Sequence, residues 1–298
     1  AAYQAWMRGM LENRSASPEA AFGDTLQVVL AQHHFRSRPW SEALIGEMDL
    51  MTSYRIYQQR FGDFGDFIFI FVGNFALAEI EPLVCRYLGS LPSAGREESW
   101  RDVGIEPPQG LVERYVYKGL EAKSQTRMVF TGDFEWNYTN FFTIHAAADI
   151  LQLRLREVLR EDLGGTYSVA VNAGTTHFPR QTYSMSVSFS CDPDRAEELA
   201  EVVLAEIDTL QARGPEALSL QKVQEMRRRR HELRLRENGY WLGLLDMAHF
   251  NQIDPRLALE YRNYVDALNA TAVQRALQRY CKRENYVRVV LLPEKYLD

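Results

Sequence analysis

The strongest constraint on this chain is that part of it occurs twice. Residues 52–61 read as a short helical stretch closed by Phe61, and residues 67–72 as an apolar strand opened by Phe67. Residues 271–280 and 286–291 repeat that order, with Tyr280 closing the helix and Tyr286 opening the strand. Tyr280 follows Phe61 by 219 positions, and Tyr286 follows Phe67 by the same 219. The run Ala21-Phe22-Gly23-Asp24-Thr25-Leu26 falls opposite residues 240–245 at that offset. Self-similarity at a fixed distance is the mark of one structural unit used more than once. The second copy runs to Asp298, so the first would lack its front half. The expectation is a piece of a longer protein. Residues 1–95 are the C-terminal part of a first module, 96–110 a linker and 111–298 a complete second module. The linker carries charges and the turn sequence Pro107-Pro108-Gln109-Gly110, the usual make-up of a boundary.

Within the second module, residues 111–118 and 126–131 have strand character, and residues 137–163 form a long helix. Phe141, Ile144, Ala148, Leu151, Leu155 and Leu159 recur there at helical spacing. Gly164-Gly165 stops the helix, and residues 167–173 follow as a strand. Residues 183–191 alternate strictly: Tyr183, Met185, Val187, Phe189 and Cys191 share one face, and four serines share the other. That pattern belongs to an antiparallel sheet with one packed and one wet face. Asp192-Pro193 opens another helix ending at Gly214-Pro215, more helices fill residues 216–282, and residues 286–293 are the last strand. Strands and helices come in blocks, so the fold class is α+β: an antiparallel sheet with helices packed on one face, in repeated modules of which the second is complete and the first partial.

The charge balance, 34 basic against 40 acidic residues for a net −6, argues against nucleic acid or an acidic membrane surface as a partner. No apolar run nears the roughly 18 residues of a membrane span. The three cysteines, Cys85, Cys191 and Cys281, are far apart and make neither a disulfide framework nor a metal clip. The start, Ala1-Ala2-Tyr3-Gln4, offers no signal peptide to read.

Metal chemistry finds no footing in the residues either. Six histidines are present, but neither H-E-x-x-H nor H-x-x-E-H occurs. His145 and Asp149, four apart on the long helix, read as a polar pair near a helix start, and His33-His34 as the end of a helix. Arg227-Arg228-Arg229-Arg230 sits between acids and apolar residues and reads as a solvated helical face. No metal ligand and no catalytic residue is assigned.

One segment is left. In Leu155-Arg156-Glu157-Val158-Leu159-Arg160-Glu161-Asp162-Leu163-Gly164-Gly165-Thr166-Tyr167 a helix meets a double glycine and turns at once into a strand. Arg160 falls in the last helical turn and Tyr167 at the first strand position, near one corner of the sheet. A guanidinium and a phenol there are donors for a peptide carbonyl or a developing oxyanion. The plainer reading is a cation suited to a helix C-terminus and an aromatic at a strand edge.

Arg160 through Tyr167 resembles the arginine-to-tyrosine signature, seven residues apart, of the C-terminal half of pitrilysin-like, insulin-degrading-enzyme-like zinc metallopeptidases. Phe71-Val72-Gly73-Asn74-Phe75 followed by Tyr87-Leu88-Gly89-Ser90-Leu91-Pro92 is similar to the way their modules close. Lys123-Ser124-Gln125-Thr126 through Phe130-Thr131-Gly132 looks like the opening strand of a last module. The resemblance covers nearly the whole chain. It implies two homologous halves closing around a chamber, with zinc held by an H-x-x-E-H helix and a distal Glu in the N-terminal half. The C-terminal half would carry no zinc, and Arg160 and Tyr167 would hold the substrate backbone beside the scissile bond. Lack of H-x-x-E-H is what this half should show, and the chain would be inactive alone. The implied partners are the N-terminal half, which brings the zinc, and a peptide substrate, and the periplasm is favoured over the cytoplasm for a bacterial chain. The alternatives are a non-catalytic structural or assembly subunit on the same modules, and a peptide-binding module without a partner half.

Overall fold

The computed structural model describes residues 2–96, 98–162 and 166–297, with backbone alone at 160–162 and 166–167. Five strands make one sheet: β1 (Leu111–Tyr117), β2 (Ser124–Asp133), β3 (Thr166–Thr176), β4 (Thr182–Cys191) and β5 (Tyr286–Leu292). Their order is β1-β5-β2-β4-β3. β2, β4 and β3 pair antiparallel, β5 is antiparallel to β2, and only β1 and β5 run parallel.

The alternation read in β4 sets the sheet's orientation. Tyr183, Met185, Val187, Phe189 and Cys191 are all buried in the main core. The helices α6 (Tyr138–Arg156), α7 (Ala196–Arg213) and α11 (Ala270–Tyr280) supply much of the rest of that core, with Ile144, Ile150, Leu151, Leu199 and Leu277 fully enclosed. Side-chain caps fix where two of them start: Asn137 Oδ1 accepts from Asn140 N at 2.8 Å, and Asn269 Oδ1 from Ala272 N at 3.0 Å. α8 (Ala217–Arg234), α9 (Asn238–Phe250) and α10 (Tyr261–Ala267) lie outside these.

The regular elements described within residues 2–95 are helices: α1 (Ala2–Ala16), α2 (Pro18–Leu30), α3 (Glu42–Gly46), α4 (Leu50–Phe61) and α5 (Leu77–Tyr87), with a short turn of 3-10 helix at Phe35–Ser37. α2 crosses the sheet face opposite α6 and α7. There Phe22, Leu26 and Val29 pack on Val129, Val287, Val289 and Leu291 in a second, smaller core. β5 is thus covered on both sides, which is why Tyr-Val-Arg-Val-Val-Leu-Leu shows no alternation. The antiparallel α+β class holds, and α2 adds a helix on the second face.

Moved along by 219 positions, α1 lands on 221–235 against α8, α2 on 237–249 against α9, α3 on 261–265 inside α10, and α4 on 269–280 against α11. The strand is where the match stops. Residues 67–72, expected as a buried strand, join no ladder among the described residues. Ile68 is 58% exposed, Phe69 44% and Phe71 48%. A strand exists through its neighbours, and β5, the segment at the matching position, has one on each side.

A second correction concerns the arginine run. Arg229 and Arg230 are exposed, but Arg227 is buried. α8 turns Ser219, Val223, Arg227 and His231 inward at every fourth position. Arg227 Nη2 lies 2.6 Å from Asp149 Oδ2, and its guanidinium sits 4.9 Å from the Phe142 ring centre. A solvated face covers only part of the run.

The segment expected as a linker is pinned at several points. His34 Nε2 is 3.1 Å from Val103 O, Arg180 Nε donates to Asp102 Oδ2 at 2.9 Å, and Asn285 Oδ1 accepts from Gly110 N at 2.7 Å. Gly110 has φ +84°, a conformation that only glycine takes without strain.

Candidate functional site

The corner between α6 and β3 combines two backbone irregularities. After Arg156 the helix widens into a π turn over Glu157–Asp162, and Arg160 belongs to that turn. The strand resumes at Thr166, and pairing to β4 passes from Thr166 opposite Cys191 to Ser168 opposite Ser190. Two steps along β3 therefore match one along β4, which makes Tyr167 the extra residue of a bulge. π turns and bulges are costly departures from regular geometry, and both gather where side chains must be re-aimed. The backbone brings Arg160 and Tyr167 to this one corner. Their side chains, and the double glycine expected to stop the helix, lie outside the described residues.

β3 is an edge strand, and α6 closes part of its outer edge. The Gln152 amide donates from Nε2 to Val169 O at 3.0 Å and accepts from Val171 N at 2.6 Å. It does what a neighbouring strand's peptide unit would do. Nothing in the helical pattern of α6 singles out Gln152, because its partners are 17 and 19 residues away in another element.

The sheet face away from the main core is the side with the serines. Ser168, Ala170 and Asn172 of β3 are exposed on it, and Ser168 Oγ is 3.1 Å from Ser190 Oγ. The expectation of a uniformly wet serine face needs amending: Ser186 and Ser190 are buried, whereas Ser184 and Ser188 are half-buried. Leu26 and Leu30 of α2 and Pro107 stand over this face beside Ser184 and Ser186. Under them lies a cavity of about 490 Å³, walled by Leu26, Leu30 and Pro107 and floored by Arg127, Val129, Thr131, Gly174, Ser184 and Ser186. Gly174 keeps this floor low, since a Cβ there would come 3.1 Å from Ser184 Oγ. Arg127 also escaped sequence reading, although its parity with Val129 and Thr131 assigns it to this face.

His145 and Asp149 do not make a metal site. Asp149 is committed to Arg227, and burial together with the Arg227 cation pushes the His145 pKa down to about 4 against the opposing pull of Asp149. Among the described residues no three His, Cys, Asp or Glu side chains come together as ligands would. The described residues do not fit zinc.

Comparison with known proteins gives a consistent picture. The family model described as "Peptidase M16 inactive domain" matches residues 54–227. The chain is 24% identical over 309 residues to a zinc protease PQQL-like protein of Arabidopsis thaliana, covering 95% of this chain and 32% of that one. It is 29% identical over 171 residues to a probable zinc protease PqqL of Haemophilus influenzae, covering 56% of this chain and 18% of the relative. Among solved structures, the periplasmic protease PqqL from Escherichia coli superposes with a TM-score of 0.83 at 20% identity. That match takes in 98% of this chain and 32% of the other. The chain spans about a third or less of each of these proteins. No described helix is long and apolar enough to cross a membrane.

Proposed function

Given that the chain belongs to the M16 peptidase family, as its inactive domain, we propose that it is the C-terminal, non-zinc half of a zinc-dependent endopeptidase. In this reading its work is to hold a peptide's main chain, and the N-terminal half of the same protein brings the zinc and encloses the substrate. Residues 1–95 are then the end of one module and 111–298 the whole of the next. The coincidence of α1 to α4 with α8 to α11 at a single offset supports that division. The exposed apolar side chains of α4, α5 and residues 67–72 are, in the same reading, surfaces that the rest of the protein covers. A periplasmic location goes with it.

The observation that carries the proposal is the doubled irregularity at one corner, a π turn holding Arg160 and a bulge holding Tyr167 beside an open polar sheet face. A guanidinium offers a fixed fork of donors and a phenol one more. Both suit a carbonyl oxygen whose negative charge grows as hydrolysis proceeds. The chain's own residues would bind and orient the peptide and stabilise that charge. They move no proton and activate no water.

The test is made in the full-length protein. Tyr167→Phe and Arg160→Ala are each expected to lower kcat/KM for a peptide by about a hundredfold or more, in line with the loss of a preorganised donor, while zinc content stays normal. Wild-type turnover in both variants overturns the assignment.

A further inference from the structure

We propose that Arg127 and the hydroxyls beside it form a carboxylate-binding subsite, which favours peptides carrying an Asp or Glu side chain or a free C-terminus. The inference rests on the peptide-holding reading above and adds a preference to it.

Arg127 stands in the middle of β2, opposite Ser188 of β4 and Val289 of β5, on the face away from the main core. It is half-buried, and its Nε is shut off from solvent without a hydrogen-bond partner. Other enclosed arginines of this chain have found carboxylates. Arg154 pairs with Glu157 and Glu206, Arg227 with Asp149, and Arg288 with Glu113 and Glu197. Among the described residues no carboxylate lies within ion-pair distance of Arg127.

The surroundings make that exception meaningful. The cavity that Arg127 lines contains no Asp or Glu, although the chain has 40 acidic residues and a net charge of −6. Its lining does combine one cation with hydroxyls, among them those of Thr131, Ser184 and Ser186. A guanidinium partly out of water and without a counter-charge is a standing cost, relieved when an anion arrives. Its planar fork matches a carboxylate through two parallel bonds, and the hydroxyls can satisfy the remaining lone pairs. A volume of about 490 Å³, with Leu26, Leu30 and Pro107 on its wall, accommodates a side chain and its neighbours.

The test measures binding of fluorescently labelled hexapeptides, by anisotropy, to the full-length protein stripped of its metal so that nothing is cleaved. The panel has Glu against Gln at one position, each with a free or an amidated C-terminus. The acidic peptide is expected to bind about ten times more tightly than its neutral isostere, with the ratio shrinking as salt is added. Arg127→Gln should bring the ratio to about one while neutral peptides bind as before, and Arg127→Lys, which keeps the charge but loses the fork, should fall between. A preference that follows amidation instead of the Glu-to-Gln change identifies the terminal carboxylate as the ligand. Equal binding of acidic and neutral peptides by the unaltered protein overturns the subsite and leaves peptide holding intact. So does a variant that loses all peptides equally, or one that keeps the preference. Failure of every peptide to bind overturns both readings.

Discussion

Gln152 and Val171 are joined by a 2.6 Å hydrogen bond from the strand's N–H to the side-chain Oε1, so that an amide of α6 occupies a place that a further strand would take. The same side chain donates to Val169 O, and together the two bonds close the middle of the β3 edge. Gln152→Leu would leave a donor and an acceptor without partners where water has poor access, at about 2 kcal/mol. For a chain of this size the melting temperature should drop by about 3 °C. Hydrogen exchange checks the cause, since the Val171 amide should lose protection more than the other amides of β3.

His145 makes stability depend on pH in a definite direction. Its folded-state pKa is pushed down to about 4, chiefly by burial and then by the Arg227 cation. An unfolded histidine titrates at about 6.5. Between these values the unfolded chain binds a proton that the folded chain refuses. Stability is therefore complete above about pH 6.5 and falls as the pH drops toward 4, by up to about 3 kcal/mol. Urea midpoints at several pH values should show that slope, and His145→Gln should flatten it. An unchanged slope in the variant would assign the effect to other groups.

Asp149 and Arg227 should prove far from equivalent to surface pairs. Asp149→Ala leaves the buried Arg227 guanidinium without its counter-charge and is expected to destabilise the fold by about 3–5 kcal/mol. The double change Asp149→Leu with Arg227→Met removes both charges and should cost clearly less than the single one. Denaturant unfolding of the three proteins decides the matter. The exposed pair Arg262 and Glu232, 2.9 Å apart, serves as the comparison and should contribute at most about 1 kcal/mol.

Much of the architecture is legible locally. β4 and α6 advertise themselves by period, and Asn137 and Asn269 mark helix starts by their chemistry. The 219-residue offset marks α2, α4, α9 and α11 as related elements. Residues 67–72 show the limit of this kind of reading. Their composition is that of a buried strand, yet pairing is a property of two segments, and no described neighbour pairs with them.

The candidate site divides along the same line. Arg160 and Tyr167 are singled out by a helix, a double glycine and a strand in direct succession, a short-range feature with a recognisable spacing, and their proposed role comes from the family resemblance. Arg227 was misjudged because four arginines in a row look alike in one dimension, while the helical period turns only one of them inward.

Order along the chain was enough to determine most element types, though not that of residues 67–72, together with the packed face of β4, the α+β class and the family resemblance, because periodicity and capping act over a few residues. Tertiary structure alone decided that α2 lies across the second sheet face, that Gln152 closes an edge, that Asp149 serves Arg227 and that Arg127 finds no counter-charge among the described residues. Each of these depends on groups far apart in sequence meeting in space, and the energies involved come from burial and partner geometry, which no short stretch of residues encodes.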